Sequence, residues 1–228
     1  MKPPNFLDSE IISSILKKVG RPKKIKDLKI ISYSRLYEFL NQEEIKLIKK
    51  FLTLHPGNYG LKGSYLGVTK IPRDIVSLKN QKYKYRGKIK TIDEEFLPKK
   101  TYLAYKKINS AMKKEIGKNL LIGSGYRSSA YQVIIFFSSL KFVKFNFRKT
   151  VEWAAFPGYS EHGDPRKQAV DFMTENGVPQ VNTLLKFEKT KEFVWLNKNA
   201  NQFGFYLSYP KNNKNGIMYE PWHWRLGK

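Results

Sequence analysis

The sequence predicts an α+β protein in which an antiparallel sheet carries flanking helices. Three observations point there. Helical apolar periodicity gathers early in the chain, short strand-like apolar runs gather late, and the last two such runs are joined by a polar turn. With 41% hydrophobic and 14% aromatic residues, the chain has enough apolar surface to bury a core.

Residues 9–19 place Ile11, Ile12, Ile15 and Leu16 at helical spacing, and residues 35–53 do the same with Leu36, Phe39, Leu40, Ile45, Ile48 and Leu52. The basic segment Arg21-Pro22-Lys23-Lys24 between them reads as a loop. From Gly57 to Lys90 the chain turns glycine-rich and β-like, ending in a run from Lys82 to Lys90 that interleaves lysines with tyrosines. Pro98 suits a helix start, and Ala104, Ile108, Ala111, Met112 and Ile116 then form an apolar stripe up to Gly117. Leu120 to Gly123 reads as a short strand leading into Ser124-Gly125-Tyr126-Arg127. Ser128 or Ser129 is placed to cap a second helix through about Phe142. Ala169 to Met173 is strand-like, and residues 190–203 read as helix closed by Gly204. Phe205 to Tyr209 and Ile217 to Tyr219 read as two strands joined by the polar turn Lys211 to Gly216. These patterns predict two parts, an N-terminal extension over residues 1–95 and a main domain over 96–228.

Composition narrows the function classes. No apolar run reaches the roughly 18 residues of a transmembrane helix, and the longest lies around Val133 to Phe137. Met1-Lys2-Pro3-Pro4-Asn5-Phe6 does not resemble a secretory signal, because no apolar stretch follows the first lysine. Cysteine is absent, which excludes disulfides and thiolate metal sites. Lys and Arg number 43 against 19 acidic residues, a formal net charge of +24 that draws polyanions towards the chain. Nucleic acid, anionic lipid headgroups and the anionic polymers of a cell envelope all fit that sign.

There are three histidines, so each can be weighed alone. His55, in Leu54-His55-Pro56-Gly57, has a turn-like context without an acidic neighbour and reads as structural or exposed. His162 sits in Gly158-Tyr159-Ser160-Glu161-His162-Gly163, and Asp171 follows in the apolar strand Ala-Val-Asp-Phe-Met. A carboxylate there is costly to bury unless it is paired or bound to metal. His223 lies between two tryptophans in Glu220-Pro221-Trp222-His223-Trp224-Arg225. Singly, each histidine is more often a satisfied core or surface residue than a ligand, and Asp171 could pair with one of many arginines. Together the three supply two imidazoles and a carboxylate, a donor set suited to catalytic zinc that leaves a fourth position for water. Glu220 is then the obvious base. Residues three apart on a straight strand face opposite ways, so Glu220 can serve His223 only if the chain bends near Pro221. Arg127 is a candidate stabiliser of an oxyanion, and Asp164 is a rival carboxylate in a loop.

Three blocks in order resemble the VanY-like D-alanyl-D-alanine carboxypeptidase family, which is grouped with D-Ala-D-Ala dipeptidases and hedgehog-type zinc domains. They are Ser124 to Gln132 (SGYRSSAYQ), Pro157 to Phe172 with its Ser-Glu-His and Ala-Val-Asp, and Gly204 to Gly227 with Glu-Pro-Trp-His-Trp-Arg. The resemblance covers roughly residues 98–228 and implies a zinc peptidase domain there. It implies Zn2+ held by His162, Asp171 and His223, with Glu220 as general base and Arg127 as electrophilic stabiliser. Ser160, Gln132, Tyr126 and Trp222 are the residues expected at the substrate. The spacer from His162 to Asp171 is two residues longer than is usual in the family, an insertion beside the metal that a loop absorbs at small cost.

The expected activity is removal of a terminal D-alanine from peptidoglycan stem peptides (D,D-carboxypeptidase), in the periplasm or outside the cell. An L,D-carboxypeptidase and an endolysin-type endopeptidase of the same family are the alternatives. A basic nucleic-acid-binding protein, resting on the Lys82 to Lys90 run, is the distant one, and no nucleic-acid partner is expected. The same run also reads as a solvated edge strand whose lysines discourage aggregation.

Overall fold

The computed structural model describes residues 8–19, 25–179, 184–213 and 217–227. The segment Arg21 to Lys24, the first seven residues and the Lys214 to Gly216 part of the polar turn lie outside the described residues. The chain forms two compact units, one made of residues 1–71 with 127–163 and the other of 72–126 with 164–228.

The first unit is helical. Its α1 (Ser9–Val19), α2 (Tyr33–Tyr37), α3 (Gln42–Leu52), α5 (Ser129–Phe142) and α6 (Phe147–Trp153) surround one apolar core. Ile12, Ile15 and Val19 of α1 meet Ile48 and Phe51 of α3 and Val133, Phe136 and Phe137 of α5, all buried. Phe51 is the hub of an aromatic cluster, with ring centroids 5.2 Å from Phe136, 4.9 Å from Phe137 and 4.4 Å from Phe156. Rings at these distances and tilts add favourable edge-to-face contact to the burial itself. Ends are capped by side chains: Ser128 accepts from Tyr131 N at the start of α5, and Asn41 and Glu44 form a reciprocal capping box on α3. Glu44 is buried because Lys18 and Ser14 of α1 also bond its carboxylate.

The second unit is an α+β body. Its main sheet has the order β5-β6-β8-β7, wholly antiparallel, from β5 (Leu120–Ser124), β6 (Ala169–Thr174), β8 (His223–Leu226) and β7 (Phe205–Leu207). The expected sheet with flanking helices is therefore present. Beside it, α4 (Lys99–Ile116) and α7 (Lys191–Asn199) contribute Tyr105, Ile108, Met112, Trp195 and Leu196 to a core shared with Leu120, Ile122, Val170, Phe172, Phe205 and Trp224. Gly117 and Gly204 close their helical segments in left-handed geometry, φ 67° and 81°, as a C-terminal glycine allows without steric cost. Two ribbons precede α4: β1 (Ile75–Leu78) pairs with β4 (Glu95–Pro98), and β2 (Lys82–Tyr85) pairs with β3 (Lys88–Thr91).

One expected strand is absent. Ile217 to Tyr219 is not in the sheet, and β7 pairs instead with β8, Leu207 opposite Trp224. Asn213 gives the reason. Its side-chain amide donates to Ile217 O at 2.6 Å, and its Oδ1 accepts from Ile217 N at 3.2 Å. An asparagine that holds both backbone groups of a residue removes them from any ladder.

Candidate metal centre and active site

The site starts from a carboxylate in an otherwise buried strand. In β6 every residue is buried except Asp171, whose side chain is 23% exposed. Strand register places His223 directly opposite it on β8. Directly opposed residues hold their Cβ atoms about 5 Å apart, and here His223 Nδ1 and Asp171 Oδ1 are 3.0 Å apart. On its other side Asp171 pairs with Ser124 of β5, just past an irregularity at Gly123. A Cβ at Gly123 would meet Asp171 O at 3.4 Å, an ordinary van der Waals contact, so the pairing here does not depend on the glycine.

The required bend before His223 is present. Glu220 to His223 form a turn in which His223 N donates to Glu220 O at 3.0 Å, and Trp224 Nε1 donates to Pro221 O at 2.9 Å. This folds the Glu220 carboxylate back to the imidazole, with Oε2 3.7 Å from His223 Nδ1. Two partners lock the turn to the sheet: Glu220 N donates to Tyr209 O, and Phe172 N donates to Trp222 O. The Tyr209 ring also stacks on the imidazole.

His162 lies in a single 3-10 turn, Glu161–Gly163, and is 2% exposed. Its carbonyl accepts from Arg127 N at 3.1 Å, and Gly163 N donates to Ser160 O at 3.0 Å. A loop before residue 71 braces the segment: Leu66 N and Gly67 N donate to Gly158 O, and Thr69 Oγ1 donates to Gly163 O at 2.8 Å. The ligand atoms of His162, Asp171 and His223 all lie within 4.8 Å of one another. Among the described residues this is the group able to hold a metal ion, and it is the donor set singled out from the sequence.

The remaining candidates are placed as follows. Arg127 Nε is buried and has no hydrogen-bond partner among the described residues. Ser160 is buried. Gln132, on α5, donates through Nε2 to Ala155 O at 2.7 Å while its Oε1 has no partner among the described residues. Tyr126 and Trp222 are buried, Tyr126 with its backbone N donating to Phe96 O. Asp164, the rival carboxylate, accepts from Arg166 Nε at 2.9 Å and from Arg166 N at 3.0 Å, and stands outside the ligand group. His55 begins the short 3-10 turn Pro56–Tyr59 and is likewise outside it. Sequence reasoning missed Tyr209 and Thr69, since neither carries a motif and both act through partners distant in sequence.

A family model described as VanY, D-alanyl-D-alanine carboxypeptidase, matches residues 94–227. The chain belongs to this family. YodJ of Bacillus subtilis (strain 168), a protein named as a carboxypeptidase, is 32% identical over 189 residues, 82% of this chain and 63% of its own length. A D-alanyl-D-alanine carboxypeptidase of Enterococcus faecium is 32% identical over 120 residues, 52% of this chain and 33% of its own length. The chain thus spans less than two thirds of either curated relative. Among solved structures, the LdcB LD-carboxypeptidase, described with the molecular basis of peptidoglycan recognition, superposes with a TM-score of 0.55 at 30% identity, covering 73% of this chain and 74% of that one. The family fold is accordingly the fold of this chain. Among the described residues no helix is long and apolar enough to cross a membrane.

Proposed function

We propose that this chain is a zinc-dependent carboxypeptidase that removes a terminal D-alanine from peptidoglycan stem peptides. The observation that carries the proposal is the convergence on one imidazole: Asp171 at 3.0 Å across the sheet and Glu220 at 3.7 Å around a turn. Family membership supplies the reaction class.

His162, Asp171 and His223 are the residues that would hold zinc. Two imidazoles and a carboxylate, in a chain without cysteine, fit that ion and leave a coordination position open. When bound, zinc would act as a Lewis acid and make water nucleophilic at neutral pH. Glu220 takes the proton from the attacking water and returns it to the leaving amine, for which its half-buried position beside His223 suits it. Arg127 answers the negative charge that develops on the scissile carbonyl. Its buried, unpartnered Nε is a donor held in reserve, and such a group is costly unless something accepts from it. Ser160 holds the terminal carboxylate or last peptide unit, and Gln132 Oε1, an acceptor without a partner among the described residues, takes an N–H of the last peptide unit. Tyr126 and Trp222, both buried, are assigned to the substrate with them. Stem peptides lie in the cell envelope, so the working place is the periplasm or the cell exterior.

D,D-cleavage of a pentapeptide stem is the first reading. The likeness to the LdcB LD-carboxypeptidase favours L,D-cleavage of a tetrapeptide stem as the second. Purified protein, with and without chelator, is incubated with muropeptides bearing tetra- and pentapeptide stems, and products are weighed by mass spectrometry. Chelator-sensitive loss of one alanine is expected, and the stem that shortens assigns the stereochemistry. No cleavage by protein that carries one tightly bound zinc ion would overturn the proposal.

A further inference from the structure

The β2–β3 hairpin takes no part in the candidate active site, and its chemistry asks for a partner. Its five cations, Lys82, Lys84, Arg86, Lys88 and Lys90, are all exposed. Among the described residues none of them pairs with a carboxylate. Lys90 Nζ and Arg86 Cζ instead approach the Tyr85 ring, at 4.8 and 5.3 Å from its centroid.

The hairpin is rooted at its base and open along its length. The Gln81 side chain accepts from Ile122 N at 2.8 Å and donates to Ile122 O at 3.1 Å, while Lys84 N donates to Glu175 O at 2.7 Å. Gly177 accommodates the Tyr83 ring, which a Cβ there would meet at 2.6 Å. Register sets Lys84 opposite Ile89 and Lys82 opposite Thr91, so these four share a face away from Tyr83. All four are exposed, Ile89 by 75%. Lysines that merely guard a sheet edge against aggregation explain the charge. They do not explain an isoleucine left bare among them.

We propose that this hairpin docks a phosphodiester-linked polyanion of the cell envelope, a polyol-phosphate polymer lying beside the stem peptides. The choice of the envelope as the polymer's source rests on the proposed function. The spacing supports a polymer over a single anion. Lysines two apart on a strand stand about 7 Å from one another, and the two strands run about 5 Å apart. Register puts Lys82 and Lys84 on one face of the ribbon and Lys88 and Lys90 on the other, so the cations flank the ribbon on both sides and do not converge on one point, which suits a chain of repeating charges wrapped along it. The bare Ile89, beside Lys82 and Lys84, offers apolar surface to the polyol between phosphates on that face.

The test compares three full-length proteins for co-sedimentation with a polyol-phosphate polymer and for hydrolysis of a soluble stem peptide. They are the parent, a hairpin variant (Lys82→Gln, Lys84→Gln, Lys88→Gln, Lys90→Gln) and a control (Lys106→Gln, Lys107→Gln, Lys113→Gln, Lys114→Gln). The control removes the same charge from the exposed face of α4. All eight positions are exposed, so both variants fold. The hairpin variant should lose at least tenfold in polymer affinity, the control less than threefold, and neither should lose soluble-peptide hydrolysis. Equal losses in both variants would assign the binding to diffuse net charge and overturn the proposal. Tighter binding of single-stranded DNA than of the polymer at the same salt would also overturn it, in favour of nucleic acid. Since sedimentation needs no catalysis, failure of the peptidase reading and failure of the docking surface are read separately.

Discussion

The ring of Tyr209 lies on the imidazole of His223, centroids 4.9 Å apart and planes 27° apart, while the carbonyl of the same tyrosine accepts from Glu220 N. One residue just beyond β7 therefore steadies both a candidate metal ligand and the candidate base. It does so without supplying a ligand atom. Groups that orient a ligand govern how firmly the metal is held.

Tyr209→Ala removes the stack and keeps the backbone bond. It should weaken zinc binding about ten- to hundredfold, measured by competition with a chromophoric chelator. Tyr209→Phe keeps the ring and should bind zinc like the parent. If the alanine variant also holds zinc like the parent, Tyr209 has no positioning role.

Glu220→Gln keeps the shape of the turn and removes the base. The expected loss is about 100- to 10,000-fold in kcat on a D-alanine-terminated peptide, with zinc content unchanged by native mass spectrometry. A variant that loses its zinc as well would place Glu220 among the residues that hold the ion.

Gly125→Ala tests the turn that leads to Arg127. An added Cβ would lie 2.3 Å from Phe96 O, the same oxygen that accepts from Tyr126 N. Backbone cannot yield there cheaply, because Gly125 N is itself bonded to the buried Glu95 carboxylate at 2.9 Å. The cost should be about 2–3 kcal/mol, or a fall in Tm of roughly 5–10 °C for a chain of this size, read by calorimetry. An unchanged Tm would show that the β4 end gives way more readily than its bonding suggests.

Alkaline stability carries a signature of Tyr105. Burial pushes its phenol up to about 12, and its hydroxyl donates to Leu120 O at 2.8 Å. The folded core holds the neutral phenol. Its stabilising effect is therefore complete below pH 10 and is lost as pH rises through about 12. Tyr105→Phe should flatten part of the decline in denaturation midpoint between pH 10 and 12, the rest shared with Tyr33, whose burial also pushes it to about 12, and with Tyr219 and Tyr37, whose phenols burial likewise raises. At neutral pH the change should cost about 1 kcal/mol, since Leu120 O still accepts from Asn109 Nδ2. An equally steep decline in the phenylalanine variant would rule Tyr105 out as its source.

Local signals were legible and distant partnerships were not. The periodic stripes and the caps at Ser128, Gly117 and Gly204 mark α5, α4 and the segment after α7, because each depends only on neighbours a turn away. His162, Asp171 and His223 stand out in the sequence because two histidines and an aspartate sit in motifs, and the bend at Pro221 follows from what a straight strand forbids. Ile217 to Tyr219 has a strand's composition, but Asn213 takes both backbone bonds of Ile217, a competition that composition does not encode. Thr69 reaches Gly163 across 94 residues, and nothing in either sequence neighbourhood announces the other. An amphipathic helix declares that it has a partner without naming it. That residues 1–71 share a core with 127–163 is therefore visible only in three dimensions.

The order of strands has a consequence for assembly. Because β8 lies between β6 and β7, β7 has no place in the sheet until β8 has been inserted beside β6. The same insertion brings His223 alongside Asp171, 52 residues away. Asp171 and His223 thus become neighbours in the step that joins β8 to the main sheet, and any hydrolytic competence that rests on the pair would arrive with it.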